Sequence, residues 1–116
     1  MRERLRRDLT VALKTRDSVE VAALRSALAA IDNAEAPDPV SVSLIATRNE
    51  YVAGGVAGVG AAEGRRRVLT QAETTKLIRD EIAERLRAAS RYRQLGKSDS
   101  ADRLLAEVEV LTHYVR

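Results

Sequence analysis

Six cations are the residues of this chain best placed to do chemistry. Arg65, Arg66 and Arg67 are consecutive. Arg87, Arg91 and Lys97 lie in a stretch with no acid between Glu84 and Asp99. A guanidinium group offers a planar fork of donors that pairs with two phosphate oxygens at once, and an ammonium group supplies a point charge. Spaced cations of this kind are suited to gripping a phosphate backbone. The simpler reading of Arg65–Arg67 is a solvated loop end, although positive charge just before a helix N-terminus is electrostatically unhelpful. For the other three it is a helix with acids first (Glu73, Asp80, Glu81, Glu84) and bases last, which complements its dipole. Only three Tyr and no Phe or Trp are present, so single strands cannot be read by stacking on an aromatic platform.

Other chemistry finds little support. Gly58-Val-Gly60-Ala-Ala-Glu-Gly64 looks like a dinucleotide loop with one extra spacer. Such a loop needs a strand before it and a helix after it within a βαβ unit, and none is legible here. His113 is the single histidine, with no second His or Cys at ligand spacing. Its helical position places it towards solvent. The carboxylates are dispersed among basic partners, so no acid–base dyad can be proposed. The sequence therefore offers no catalytic residue, no metal site and no cofactor site.

The elements that must position the cations are helical. The first helix is expected over about Arg2 to Lys14, with Leu5, Leu9, Ala12 and Leu13 on one stripe. Glu3–Arg7 and Arg4–Asp8 are i,i+4 pairs on its surface. Asp17 or Ser18 would cap a second helix, about Val19 to Ala34, striped by Val21, Leu24, Leu28 and Ile31. Its abundant Ala makes it apolar nearly all round, the mark of a central element. Pro37 and Pro39 stop it, and a long Gly-rich loop follows, roughly Ala36 to Val68.

Thr70 and Glu73 form a capping box for the third helix, whose stripe is Ile78, Ile82, Leu86 and Ala89. Gly96 suits its C-terminal stop. Ser98 or Asp99 would cap the fourth helix, striped by Ala101, Leu104, Leu105, Val108, Leu111 and Val115. The expected fold is all-α: two helical hairpins forming a small four-helix bundle, in a single domain of 116 residues.

Composition bounds the remaining possibilities. The chain has no Cys, a net charge of +3 and 45% apolar residues. Thiol catalysis and disulfides are excluded, and polyanion binding is permitted without being required. No apolar run is long enough for a membrane span or signal core, so a soluble cytoplasmic protein without a membrane partner is expected.

Order and spacing along the chain resemble the YqeY-like proteins of the GatB/YqeY family. The resemblance begins at Arg16-Asp17, Leu24-Arg25-Ser26-Ala27-Leu28 and Ile31-Asp32-Asn33-Ala34-Glu35. It resumes at Leu69-Thr70 and Glu81-Ile82, and continues through Gly96 and Asp99 to Ala106-Glu107 and Leu111. Tyr114 falls where that family commonly has a Tyr-Leu-Pro hinge, and the Gly-rich segment looks like the version found in high-GC bacteria. The resemblance implies a helical module similar to the C-terminal region of the B subunit of glutamine-dependent aspartyl/glutamyl-tRNA amidotransferase. That region helps to hold tRNA. The family also carries a label of carbon–nitrogen ligase activity with glutamine as amide donor, for which no residue pattern here supplies the chemistry. With Arg116 as its last residue, the chain would correspond to the first helical subdomain without the family's tail domain.

The expected function is thus a non-catalytic accessory module for tRNA or another structured RNA, contacted through Arg65, Arg66, Arg67, Arg87, Arg91 and Lys97. The alternative is a protein-interaction bundle whose Ala-rich faces dock a protein partner.

Overall fold

A computed structural model of the protein describes residues 1–36 and 67–116. Its four described helices are α1 (Arg2–Thr15), α2 (Ser18–Glu35), α3 (Gln71–Gln94) and α4 (Ser98–Thr112), with no strand among the described residues. The chain divides into two compact units. One comprises Met1–Ile31 with Thr70–Arg116, and the other Asp32–Leu69. The first holds α1, most of α2, α3 and α4, and it is the expected small all-α bundle. Most of the expected Gly-rich loop lies outside the described residues.

Each hairpin turns on the same backbone device. At the end of α1, Arg16 adopts the left-handed conformation (φ 58°, ψ 36°). Its N–H donates to the Leu13 carbonyl at 3.3 Å, and that of Asp17 to the Ala12 carbonyl at 3.0 Å. At the end of α3, Gly96 has φ 73°. Its N–H donates to the Arg93 carbonyl at 3.0 Å, and that of Lys97 to the Tyr92 carbonyl at 2.8 Å. Both are Schellman closures, which satisfy carbonyls that a helix end otherwise leaves open.

The next helix starts at once in each case. Asp17 caps α2, its Oδ1 accepting from the Glu20 N–H at 3.0 Å. Lys97 stands at the cap of α4 and makes no side-chain capping bond. The expectation of Ser98 or Asp99 as that cap is corrected. The Schellman closure fixes Lys97 as the flanking residue, so Ser98 is already helical. Before α3, Thr70 and Glu73 form the full capping box. Thr70 Oγ1 accepts from the Glu73 N–H, and the Glu73 carboxylate from the Thr70 N–H, both at 3.1 Å.

The bundle core is aliphatic. Leu5, Ala12, Ala23, Leu24, Ala27, Ala101 and Leu111 are fully buried, with Ile31, Ile78 and Ala89 nearly so. Helix α2 contributes four of these residues, more than any other described helix, as its apolar circumference suggested. Helices α3 and α4 pack side by side as an antiparallel pair. Two stripe assignments need correcting, because Leu13 and Leu86 are each 47% exposed. The surface pairs Glu3–Arg7 and Arg4–Asp8 do not form as ion pairs; Arg4 and Asp8 are instead engaged by Tyr114.

In the second unit, α2 ends at Glu35, two residues before Pro37. The Glu35 carbonyl accepts from the Arg67 N–H at 2.9 Å, and its carboxylate from the Leu69 N–H at 3.4 Å. No described helix is long and apolar enough to cross a membrane.

Candidate functional site

Helix α3 sorts its residues by angle. At 3.6 residues per turn, Thr74, Ile78, Glu81, Arg85 and Ala89 fall on one side and Lys76, Asp80, Glu84, Arg87 and Arg91 on the other. Burial follows this division: the first set is buried or half-buried and the second is exposed. On the exposed side Lys76 and Asp80 neutralise one another at 2.9 Å. Arg87 and Arg91, one turn apart, make no ion pair among the described residues, not even with Glu84 one turn before Arg87. Arg93 is matched by Asp102 at 3.0 Å. Lys97 is exposed at the following turn.

Three of the six expected cations are therefore available on the bundle: Arg87, Arg91 and Lys97. Arg67 is exposed and belongs to the second unit. Arg65 and Arg66, like the glycines of Gly58–Gly64, lie outside the described residues.

The buried side of α3 contains the main feature that sequence reasoning missed. Arg85 is not a surface base; its side chain is only 12% exposed and meets Glu107 of α4, itself 10% exposed, at 3.1 Å. The same guanidinium approaches Glu81 at 3.6 Å and donates to the Glu81 backbone carbonyl at 3.1 Å. Ser26 of α2 donates to Glu81 Oε1 at 2.6 Å. One guanidinium thus joins three helices through two carboxylates and a hydroxyl. Ser26 beside Glu81 has the composition of a nucleophile and base. The Glu81 carboxylate is, however, already engaged by Arg85 at 3.6 Å. The arrangement works as a strut. Its signal in the sequence was Glu107, three residues after Leu104 and four before Leu111 on the buried line of α4.

A second polar cluster closes the end where α4 meets α1. Tyr114 is buried, its hydroxyl donates to the Asp8 carboxylate, and the Arg4 guanidinium lies 4.6 Å from the centre of its ring. Burial, together with the hydrogen bond and negative charge of Asp8, pushes the phenol well above its ordinary range. Tyr114 is thus held as a neutral donor and not as a base. Burial, then the nearby Asp17 and Asp8, raise the Glu20 carboxyl, while His113 opposes this. His113 is exposed, as its helical position predicted. No group of three His, Cys, Asp or Glu among the described residues has the geometry to hold a metal ion. An open cleft bordered by Asp8, Glu20, His113 and Tyr114 lies at this end.

Both polar clusters are thus tied into structural contacts, and the exposed face of α3 retains unpaired charge. Comparison with family models, curated proteins and solved structures finds no match to this chain.

Proposed function

We propose that this protein is a non-catalytic, RNA-associated helical module of the GatB/YqeY type, binding tRNA or another structured RNA through the phosphate backbone. The observation that carries this reading is the set of three exposed cations, Arg87, Arg91 and Lys97, without ion-pair partners among the described residues. The core-facing line of α3 anchors the helix so that Arg87 and Arg91 project away from the bundle. Lys97 adds support because it breaks a local rule. It stands at a helix N-cap, where a Ser or Asp would bond the free amides and a cation opposes the dipole. A residue that weakens its own helix start is accounted for by a role elsewhere. The scarcity of aromatic residues, three Tyr with no Phe or Trp, directs the proposal to the backbone of folded RNA.

The test is retardation of tRNA on a native gel by the full chain, repeated with the Arg87→Glu/Arg91→Glu variant. The expected result is a shift that weakens steeply with added salt and is lost in the variant. A variant that retards tRNA as well as the parent would remove this face from the account. These residues are exposed, so the substitutions leave the core intact.

A further inference from the structure

The apolar surface of the first hairpin is not fully used by the fold. Leu13 points away from the buried line of α1 and is 47% exposed. Across the turn, Val21 and Ala22 of α2 are half-buried. Together they floor a groove of about 420 Å³ whose remaining lining is Ser18, Arg16 and Arg25. Arg16 and Arg25 are exposed and have no ion-pair partner among the described residues. No acid lines the groove; Asp8, Asp17 and Glu20 border the other cleft.

An aliphatic floor between two unmatched guanidinium groups has definite complementarity. Phosphate backbones satisfy the rim but have nothing to place on Leu13 and Val21, and no aromatic side chain lines the groove to receive a base. A bare apolar helix fills the floor and leaves the arginines unpaired. An amphipathic helix with aliphatic anchors flanked by Glu or Asp satisfies both. Such helices dock through side chains spaced i, i+3, i+4. The small Ala22 side chain permits close approach of a second backbone.

We propose that the α1–α2 groove is a docking site for an acidic amphipathic helix of a partner protein. Exposed aliphatic anchors supply the contact area, and Arg16 and Arg25 set the orientation and exclude basic partners. This surface is separate in residues from the proposed RNA face, and either proposal can fail without the other.

The experiment is an NMR titration of the 15N-labelled full chain with a synthetic helical peptide of about 20 residues, bearing Leu at i, i+3, i+4, i+7 and flanking Glu. A matched peptide with Lys for Glu and a tRNA serve as the other two probes. The acidic peptide is expected to shift the amides of Leu13, Ser18, Val21 and Ala22, and the lysine peptide to leave them in place. The Arg16→Gly/Arg25→Gln variant should bind the acidic peptide about tenfold more weakly or worse. Glycine suits the left-handed conformation of position 16, so this variant keeps the turn while removing the charge. The proposal is overturned if the acidic peptide leaves these amides unmoved, or if both peptides bind alike. It is also overturned if tRNA shifts the same amides, or if they shift with protein concentration alone, which would make the occupant an RNA or a second copy of this chain.

Discussion

The two hairpin turns, eighty positions apart, make the same backbone closure with opposite choices of residue. Position 16 is Arg in a left-handed conformation that favours glycine, and position 96 is Gly. The next residue reverses the advantage: Asp17 caps its helix, and Lys97 does not. Each turn therefore has one residue well matched to its backbone and one poorly matched. The poorly matched residues, Arg16 and Lys97, are both cations on the surface. One rims the proposed protein-docking groove and the other extends the proposed RNA face. The helices joined by these turns also differ. Leu5 and Ala12, seven residues apart, are buried in α1, whereas the corresponding spacing in α3 joins Ile78 to Arg85. The first hairpin buries a methyl group where the second buries a cation held by two carboxylates.

The largest expected effect tests that last difference. Arg85→Ala removes the charge between Glu81 and Glu107 and leaves two largely buried carboxylates facing each other. It should destabilise the bundle by about 3 kcal/mol in denaturant unfolding. A loss below about 1 kcal/mol would show that the strut contributes little.

The turns should then respond with opposite signs. Gly96→Ala has open space for its Cβ, so its penalty is conformational, and a loss of about 1 kcal/mol is expected. Arg16→Gly relieves the same strain and should gain about 0.5 kcal/mol, partly offset by the greater freedom of glycine in the unfolded chain. Lys97→Ser supplies the missing cap and should also gain about 0.5 kcal/mol, while weakening the RNA contact. Thermal midpoints of the three variants measure the signs directly. If Gly96→Ala and Arg16→Gly moved stability in the same direction, the equivalence of the two turns would be wrong.

The smallest effect depends on pH. Glu20 has a raised carboxyl, so its ionised form is disfavoured in the folded protein. That unfavourable contribution is present at neutral pH and is relieved as pH falls through the raised value, where the folded state takes up the proton first. Glu20→Gln should therefore be slightly more stable than the parent at neutral pH, with the advantage shrinking towards about pH 4. Midpoints that differ equally at both pH values would assign the effect to packing.

Much of the fold was legible because its signals are local. The Thr70–Glu73 box, the Asp17 cap, the Gly96 stop and the proline-limited end of α2 each act within a few residues. The errors share a geometric cause. Following leucines in steps of four advances about 40° per step around a helix, so Leu13 lies about 80° from Leu5 and Leu86 about 80° from Ile78. Both leave the buried line, whereas Ala12 and Arg85, seven residues on, stay within about 20° of it. Arg85 keeps to the buried line although an arginine is by type a surface residue. The cost of burying a guanidinium is met in part by Glu107, a partner 22 positions away. Tyr114 was similarly opaque, because its partner Asp8 is 106 positions distant. The cationic stretch was legible as an acid-free run between Glu84 and Asp99, and Arg87, Arg91 and Lys97 within it are exposed.

The most direct test of the proposed role is the salt dependence of tRNA affinity for the parent and for Arg87→Gln/Arg91→Gln. If both guanidinium groups hold phosphates, the magnitude of the slope of log affinity against log salt should fall by about 1.5 in the variant, with weaker binding at low salt. An unchanged slope and affinity would contradict the assignment of RNA binding to this face of α3.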